Sequence, residues 1–323
     1  MDDFKHIPVL LNESIEGLNI KPDGIYVDCT MGGAGHSSEI LKRLSEKGKL
    51  ICFDQDDYAI NKGQEKLSKI GSNYKIIKSN FVNIKSELQK LNINKVDGVL
   101  YDLGVSSFQF DIKERGFSYN MEGDLDMRMN TDQYLKAYDI VNYYSFDELK
   151  DIFYKYGEEK YSPLIAKKII KERENKIIKT TTELSDIILA AVPAHVRRSG
   201  KHPAKKIFQA LRIAVNDELN VFEKSLKDAL SILKVDGRIA VITFHSLEDR
   251  ICKTVFKDKV EVNIPAGIPI LEKEIDKKRK FKLINNKVII ASDKELNDNN
   301  RSHSAKLRII ERIAEGDNEY GKF

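Results

Sequence analysis

The chain has 323 residues and a mass of 37.0 kDa, a length that corresponds to about two domains of ordinary size. Apolar residues make up 41% and charged residues 32% of the chain, which is typical of a folded globular protein and excludes an intrinsically disordered one. The 54 basic and 50 acidic residues give a net charge of only +4, so a surface that binds an anionic partner has to be a local one.

Cysteine content and the N-terminal segment indicate the cellular compartment. Cys29, Cys52 and Cys252 are odd in number and lack CxxC spacing, which disfavours both a disulfide framework and a cysteine zinc site. The segment Met1–His6 is acidic where a signal peptide is basic. No apolar run approaches the length of about 18 residues that a membrane span needs. We therefore expect a cytoplasmic protein with no membrane partner and no metal site.

Short β-rich runs alternate with helical periodicity over the N-terminal third of the chain. Strands separated by helices in this way predict βαβ units around a parallel sheet. The predicted strands are Ile25–Asp28, Leu50–Asp54, Tyr74–Ile77 and Val96–Asp102, and the helices between them are Ser37–Leu44, Tyr58–Ile70 and Ile84–Leu91.

Beyond residue 111 the pattern becomes helical, and it returns to a strong strand at Arg238–Phe244. The α/β fold predicted from this order is a doubly wound, Rossmann-like sheet with a helical domain inserted between its fourth and fifth strands. We assign residues 1–110 and 206–323 to the sheet domain and residues 111–205 to the insertion. The predicted helices are Asp147–Phe153, Ser162–Glu174, Thr182–Ala191 and a long one from Ala204 to about Leu233.

The C-terminal part contains two further β-rich runs, Lys287–Ile290 and Lys306–Ile310. We predict that they form an antiparallel pair at the sheet edge. The intervening residues 291–304 are rich in Asn, Asp and Ser, which is typical of a flexible loop.

A glycine loop, Gly33-Ala34-Gly35, follows the first strand after Asp28 and opens the first helix. Glycines there permit a tight turn and a close approach of the backbone to a ligand, and the helix N-terminus offers N–H groups to a carboxylate or phosphate. Asp54 ends the second strand, where an acid can accept hydrogen bonds from both ribose hydroxyls. Asp102 ends the fourth strand and is predicted to lie in the same crevice. The sequence therefore predicts a site for a nucleoside-type cofactor.

Two cofactors fit this loop, and a purely structural role without a ligand is the third alternative. It lacks the dinucleotide spacing G-x-G-x-x-G and is closer to the acid-x-x-x-G-x-G loop of S-adenosylmethionine methyltransferases. The loop and Asp54 alone still permit an NAD-dependent Rossmann oxidoreductase. If the role is purely structural, the glycines only allow the helix to pack on the sheet, and Asp28 and Asp54 are strand-end caps. Phe81 either lies beside an adenine ring or belongs to the core.

Many further motifs accompany Asp102–Ser107 in order along nearly the whole chain: His6–Leu11, Gly33–His36, Arg115–Ser118, Leu125–Met129, Tyr156–Glu159, His202–Ala204, Phe208–Ile213 and Phe244–Arg250. With these motifs the chain resembles the bacterial ribosomal RNA small-subunit methyltransferase H family, also called the MraW family. The resemblance implies a Rossmann-like fold with a helical insertion. It also implies methyl transfer from S-adenosylmethionine to the exocyclic N4 of a decoding-centre cytidine in 16S rRNA of the small ribosomal subunit.

Carried over by motif, the resemblance implies cofactor contacts at Gly33, Ala34, Gly35, His36, Asp54, Phe81, Asp102 and Gln109. Two departures from the family pattern are mild. Cys29 replaces the small residue usual before the threonine, and Phe108 stands where the family often has proline. Neither change removes a functional group.

Methyl transfer to N4 requires an acceptor for the hydrogens of the amine, whose lone pair is delocalised into the ring. Asp102 is our first candidate, because amino-methyltransferases place an acidic or amide residue at the end of the fourth strand. The alternative is that Asp102 binds only the methionine portion of the cofactor. His245 follows the fifth strand and is a second catalytic candidate, whereas His36 is expected to order the cofactor loop.

Two basic clusters are candidate contacts for RNA phosphates. The first includes Arg197, Arg198, Lys201, Lys205 and Lys206 and contains no acid, and the second is Lys277–Lys282. The alternative for each is a solvated basic loop.

The expected partner is 16S rRNA within the small subunit, and the oligomeric state stays open, with a homodimer as one alternative. A non-catalytic assembly factor that binds S-adenosylmethionine and RNA is the second functional hypothesis. A DNA amino-methyltransferase is disfavoured because the Pro-Pro-aromatic motif is absent from the end of the fourth strand.

Overall fold

The computed structural model describes residues 8–198, 200, 202–262 and 278–316. Its strands are β1 (Ile25–Asp28), β2 (Lys49–Asp54), β3 (Tyr74–Lys78), β4 (Val96–Asp102), β5 (Leu233–Thr243), β6 (Phe281–Leu283) and β7 (Lys306–Arg312). Its helices are α1 (Leu11–Leu18), α2 (Gly35–Arg43), α3 (Asp57–Leu67), α4 (Ile84–Lys90), α5 (Ser107–Asp111), α6 (Ala137–Tyr143), α7 (Phe146–Gly157), α8 (Ser162–Asn175), α9 (Thr181–Ala191), α10 (Ala194–Arg197), α11 (Ala204–Asn216), α12 (Glu218–Ile232), α13 (Ser246–Val260) and α14 (Asp293–Asp298). Short 3₁₀ helices span Phe81–Asn83, Lys113–Arg115 and Asn300–Ser304.

The seven strands form one sheet in the order β3-β2-β1-β4-β5-β7-β6. Strands β1 to β5 pair in parallel, and β7 lies antiparallel between β5 and β6. The chain runs outward from β1 in one direction and from β4 in the other, so the strand order reverses between these two strands. Open α/β sheets bind ligands outside the carboxyl ends of their strands at such a point. The predicted Rossmann-like α/β fold is confirmed.

Continuous apolar runs make the central strands, because both faces of a parallel sheet are covered. In β4 every residue except the terminal Asp102 is buried. Val99 and Tyr101 belong to the core on one face of the sheet, and Leu100 belongs to the core on the other face. Alternation of this kind fixes the register of β4, since a shift by one residue would exchange the two faces.

The chain divides into two compact units. The sheet unit comprises residues 1–104 and 219–323, and the helical unit comprises residues 105–218. The helical unit has its own core, which includes Phe153, Ile165 and Leu211. Within the part of the chain that the structure describes, no helix combines the length and the apolar character needed to cross a bilayer.

Helix α11 belongs to the helical unit, whereas the sequence analysis ended the insertion at residue 205. The close packing of α7 against α11 explains its place, because a Cβ on Gly157 would lie 2.9 Å from the Lys206 carbonyl oxygen. The predicted single helix from Ala204 to about Leu233 is wrong. It is broken at Asp217, whose φ of 49° is left-handed and separates α11 from α12.

The structure also corrects the C-terminal prediction. The segment Lys287–Ile290 is not a strand, since it contributes one isolated bridge, between Ile289 and Leu307, and β6 is the partner of β7 instead. Residues 291–304 are not an irregular loop, because they contain α14 and a 3₁₀ helix. Ser292 caps α14 by accepting a hydrogen bond from the Glu295 amide. Serine is among the preferred residues for this position at a helix start.

Candidate functional site

Acidic side chains end three adjacent parallel strands of the sheet unit. Asp28 ends β1, Asp54 ends β2 and Asp102 ends β4, and β1 pairs with both of the other strands. The three carboxylates therefore share one edge of the sheet, at the point where the strand order reverses. We call this edge, together with the loop from β1 to α2, the crevice.

Asp28 is an internal support of the crevice. Its carboxylate is buried and accepts hydrogen bonds from the Ser37 hydroxyl at 2.6 Å and from the Thr30 amide at 3.0 Å. Burial raises the pKa of Asp28, and these donors oppose that rise. The Thr30 hydroxyl accepts a hydrogen bond from the Asp102 amide at 2.7 Å. Asp28 thus fixes the loop and, through Thr30, the end of β4.

Asp54 holds the glycine loop from the other side. One oxygen accepts a hydrogen bond from the Gly32 amide at 2.8 Å, and the other accepts from the amides of Gln55 at 2.8 Å and Asp56 at 2.9 Å. Loss of water around the carboxylate nevertheless raises the pKa of Asp54 to about 6. A carboxylate held in this way has fixed lone pairs for further donors, which is what recognition of two hydroxyls needs.

The loop itself depends on unusual backbone geometry. Gly32 and Ala34 adopt left-handed φ angles of 48° and 55°, and Ala34 is the residue from which α2 starts. A Cβ on Gly35 would lie 2.2 Å from the Cγ of Pro8. Glycine at position 35 is therefore required by the close approach of the segment that precedes α1.

Replacing Gly35 with alanine is expected to displace this segment and to lower the free energy of unfolding by about 1–3 kcal/mol. Thermal or denaturant unfolding of the purified variant measures the loss. Ala34→Gly is the matched control, because glycine removes one methyl group but tolerates the left-handed φ, and we expect a change within about 1 kcal/mol. Equal stability of Gly35→Ala and wild type would contradict the close contact with Pro8.

Asp102 differs from the other two acids because it lacks a full set of donors. Its Oδ1 is buried and has no hydrogen-bond partner among the residues that the structure describes, and its Oδ2 lies 3.5 Å from Nδ1 of His36. Burial and the negative charges of Asp28 and Glu248 raise the pKa of Asp102 to about 8, and Arg301 opposes this rise. A carboxylate in this state favours a cation or a hydrogen-bond donor as ligand.

Arg301 was missed by the sequence analysis. It lies in the 3₁₀ helix Asn300–Ser304, within the segment that was predicted to be a flexible loop. The positive charge of its guanidinium opposes the rise in the pKa of Asp102, although the two residues are distant in sequence. The only sequence signal was an arginine shortly before β7. It could not be linked to Asp102 without knowing the order of the strands in the sheet.

Phe81 begins the 3₁₀ helix that follows β3. Its ring is partly buried and packs edge-to-face on Tyr101, with centroids 5.7 Å apart. Its carbonyl accepts a hydrogen bond from the Ser225 hydroxyl at 2.8 Å. This position is anchored to the core, and the predicted contact with an adenine ring stays a prediction.

His245 is used as a helix cap. It precedes α13, and its Nδ1 accepts a hydrogen bond from the Glu248 amide at 3.4 Å. Its Nε2 lies 3.1 Å from Oε1 of Glu248, and Oε2 of the same carboxylate accepts from the Phe244 amide at 2.8 Å. Both ring nitrogens thus face Glu248, so a direct role of His245 in catalysis stays a prediction.

Gln109 belongs to the helical unit, where it forms a capping box at the start of α5. Its side-chain Oε1 accepts a hydrogen bond from the Ser106 backbone amide at 3.1 Å, and its backbone amide donates to the Ser106 hydroxyl at 3.4 Å. The side chain is buried in this arrangement. Its predicted contact with the cofactor stays a prediction.

The first basic cluster lies on the helical unit. Arg197, Arg198, Lys205 and Lys206 are exposed, and Lys206 donates a hydrogen bond to the Glu158 carbonyl at 3.0 Å. Lys201 lies outside the described residues.

In the second cluster, Lys277 also lies outside the described residues. Lys282 is paired with Glu311 at 2.8 Å, which leaves that cluster less charge for an anionic partner.

Solved structures with a similar backbone are distant from this chain. A protein from Clostridium thermocellum, provisionally named an rRNA methylase, has 14% identity and a TM-score of 0.45, and the match covers 95% of this chain and 100% of that one. An rRNA methylase from Streptococcus thermophilus has 13% identity and a TM-score of 0.42, with 96% and 99% covered. Similarity at this level is too low to indicate an activity.

The family comparison is more direct. The model of the MraW methylase family matches residues 3–313, which is nearly the whole chain and includes the glycine loop and all three strand-end acids. The chain therefore belongs to the MraW methylase family and is a methyltransferase that uses S-adenosylmethionine.

Proposed function

We propose that the protein transfers a methyl group from S-adenosylmethionine to the exocyclic N4 amine of a decoding-centre cytidine in the 16S rRNA of the small ribosomal subunit. The observation that carries this proposal is the buried Oδ1 of Asp102 at the end of β4, which has no hydrogen-bond partner in the described part of the chain. An amine that donates hydrogen bonds is the partner that such an oxygen lacks. Membership of the MraW methylase family supports the reaction class.

The residues of the crevice fit S-adenosylmethionine. The cofactor supplies an activated methyl group on a positively charged sulfonium. Asp102 provides a negative charge for that cation, and Asp54 provides lone pairs for the ribose hydroxyls. The loop of Gly33, Ala34 and Gly35 opens α2 and offers the amide groups of a helix N-terminus to a carboxylate. We assign these residues, with His36, Phe81 and Gln109, to cofactor binding.

Asp102 has two tasks in this mechanism. It orients the N4 amine by accepting a hydrogen bond from one of its N–H groups, which directs the nitrogen lone pair towards the methyl group. With the methyl donor bound, Asp102 would then accept the proton that the amine loses as the N–CH₃ bond forms and the S–CH₃ bond breaks, with its electron pair left on sulfur. Burial strengthens both effects, because the carboxylate acts in a low-dielectric crevice and is already positioned by Thr30.

The helical unit is assigned to RNA recognition. The cluster at Arg197, Arg198, Lys201, Lys205 and Lys206 suits phosphate contacts. Three further exposed lysines lie nearby in the chain, Lys160 just before α8 and Lys167 and Lys171 within it. Lys160 lies 4.9 Å from the centroid of the Tyr161 ring, and the Tyr161 hydroxyl lies 3.1 Å from Nε2 of His195 on α10. These contacts join the two groups of basic residues into one surface.

Neutralising Arg197, Arg198 and Lys201 together is expected to weaken RNA binding and to reduce the slope of log K against log salt by about 2–3. Filter binding or fluorescence anisotropy with 16S rRNA fragments over a range of salt concentrations measures the slope. The control replaces Lys62, Lys69 and Lys90, which are exposed and paired with glutamates three or four residues away, and it should leave the slope unchanged. An unchanged slope in the first variant would place the RNA on another surface.

The reaction is tested with purified protein, S-adenosylmethionine carrying a labelled methyl group, and small subunits from cells that lack the endogenous enzyme. Digestion of the rRNA and mass identification of the nucleosides should give N4-methylcytidine at the decoding centre. Cofactor binding without any label in the rRNA would favour the second candidate, a non-catalytic assembly factor. Label at another nucleotide would contradict the proposed target and keep the reaction class.

A further inference from the structure

The connection between β6 and β7, residues 284–305, reaches the start of α1 through one carboxylate. Glu295 lies in α14, and its Oε1 accepts a hydrogen bond from the Leu10 backbone amide at 2.8 Å, although the two residues are 285 positions apart in the chain. The backbone of Glu295 is held by its own neighbours. Its amide donates to the Ser292 hydroxyl at 3.2 Å, and its carbonyl accepts from the Asn299 amide at 2.8 Å. The position of this carboxylate is therefore fixed by the fold.

The turn at Leu10 needs an acceptor of this kind. Leu10 is fully buried and has a left-handed φ of 50°, a conformation that is unfavourable for leucine. Its carbonyl starts α1 by accepting a hydrogen bond from the Ser14 amide at 3.0 Å. Its own N–H precedes the first turn, where the helix offers no acceptor. A buried N–H without a partner would destabilise this conformation, so Glu295 holds a strained turn in place.

This turn lies against the glycine loop. Pro8 approaches Gly35 so closely that a Cβ at position 35 would lie 2.2 Å from the Cγ of Pro8. The carbonyl oxygen of Val9 lies 3.1 Å from Nε2 of His36, in the first turn of α2. The three residues that end at the strained turn thus contact the start of α2, which is the helix end that we assign to the cofactor.

The connection supports the same side of the sheet with apolar contacts. Ala291 and Ala305 are buried in one core cluster with Leu10 and Ala34 of the glycine loop. The connection also contains Arg301, the positive charge of which acts on the carboxyl group at the end of β4. A segment that is remote in sequence therefore bears on two parts of the crevice.

We propose that Glu295 is a positioning residue for the cofactor, because it holds Pro8–Leu10 against the first turn of α2 and so keeps the glycine loop in the conformation that binds S-adenosylmethionine. The inference rests on the assignment of that loop to the cofactor under the proposed function. Glu295 acts through the backbone of Leu10 and needs no contact of its own with the cofactor. What position 295 has to supply is an acceptor atom, so a neutral side chain with an oxygen in the same place can replace the carboxylate.

Calorimetric titration of the full-length protein with S-adenosylmethionine tests this requirement. Glu295→Ala removes the acceptor and should weaken binding by about tenfold, which corresponds to a loop that is correctly placed in about a tenth of the molecules. Glu295→Gln keeps an oxygen acceptor and should bind within about twofold of wild type. Asp293→Ala is the control for loss of an acid from the same helix, because Asp293 is exposed in the first turn of α14. It should also bind within about twofold of wild type.

Hydrogen exchange followed by mass spectrometry locates the effect. Without cofactor, Glu295→Ala should exchange faster than wild type in peptides that cover residues 9–10 and 33–36, whereas Glu295→Gln should match wild type. If Glu295→Ala does not fold, wild type provides the test. S-adenosylmethionine should then slow exchange at residues 9–10 together with residues 33–36, and protection of residues 33–36 alone would overturn the proposal.

Wild-type affinity of Glu295→Ala would overturn the proposal, and so would equal weakening in Glu295→Gln or in Asp293→Ala. Asp54→Ala, titrated in parallel, tests the assignment of the crevice separately. Weak binding by Asp54→Ala with normal binding by Glu295→Ala would keep the cofactor site and remove only the role of Glu295. No RNA is present in these experiments, so the result stands whichever nucleotide is methylated.

Discussion

Asp102→Asn should lower the rate of methyl transfer at saturating S-adenosylmethionine by about 10²–10⁴-fold. Asparagine keeps the size of the side chain and one oxygen, but it carries no negative charge and cannot take a proton from the amine. The loss should appear in kcat, with a smaller change in cofactor affinity, because the ionised carboxylate contributes most while charge develops on N4. Single-turnover kinetics with saturating cofactor measures the step.

Asp57→Asn is the control for this variant. Asp57 is the first residue of α3, is exposed, and pairs with Lys78 at 2.8 Å, so it shares the chemistry of Asp102 without its burial. The control should transfer methyl groups at the wild-type rate. If Asp102→Asn also keeps its full rate at saturating cofactor, Asp102 only binds the methionine portion.

The same variant changes how stability depends on pH. The pKa of Asp102 is about 8 in the folded protein and about 4 in an unfolded chain. Between these values the folded state binds more protons than the unfolded state, so the free energy of unfolding falls as pH rises. Asp102→Asn removes this contribution and should be more stable than wild type by up to about 5 kcal/mol near pH 8. Unfolding curves of the two proteins should converge near pH 4.

Asp54→Ala should weaken binding of S-adenosylmethionine by about 10–100-fold, which corresponds to the loss of a pair of hydrogen bonds to a charged acceptor. The variant also removes the acceptor for the Gly32 amide, so the glycine loop loses a contact that holds it. Calorimetric titration with the cofactor measures the change.

Asp56→Ala tests whether a loss of stability next to Asp54 explains the effect. Asp56 caps α3 by accepting a hydrogen bond from the Tyr58 amide, so its loss lowers stability without removing a proposed contact with ribose. We expect Asp56→Ala to keep its affinity within about threefold, a free-energy change below 1 kcal/mol. Unchanged affinity of Asp54→Ala would contradict its assignment to the ribose.

The central sheet could be predicted because its signals are local. Runs such as Val99–Tyr101 are apolar on both faces, and the strands that contain them end in a polar residue at the same edge of a parallel sheet. The positions of Asp28, Asp54 and Asp102 follow from this rule together with the glycine loop. Which acid lacks hydrogen-bond donors does not follow from it, because the donors to Asp28 and Asp54 come from turns and from α2, whose positions the sequence pattern leaves open.

The C-terminal elements could not be predicted in the same way. The segment Lys287–Ile290 has the composition of a strand, but only Ile289 pairs with β7, at Leu307, whereas β6 pairs with β7 over Ile310–Arg312. Strand propensity depends on the neighbour that a segment finds, and this neighbour is set by the tertiary fold. The break at Asp217 has the same origin, because an Asp in the left-handed region is a local exception within a continuous helical pattern.

The position of β7 between β5 and β6 has a consequence for synthesis of the protein. Ribosomes make the chain from its N-terminus, so β5 is complete well before Lys306–Arg312 emerges. Until then β5, whose last five residues are buried in the finished sheet, is an edge strand that has only β4 as a neighbour. Exposed apolar edges promote aggregation of nascent chains. Arg301 also arrives late, so an incomplete chain lacks both the neighbour of β5 and the positive charge that lowers the pKa of Asp102.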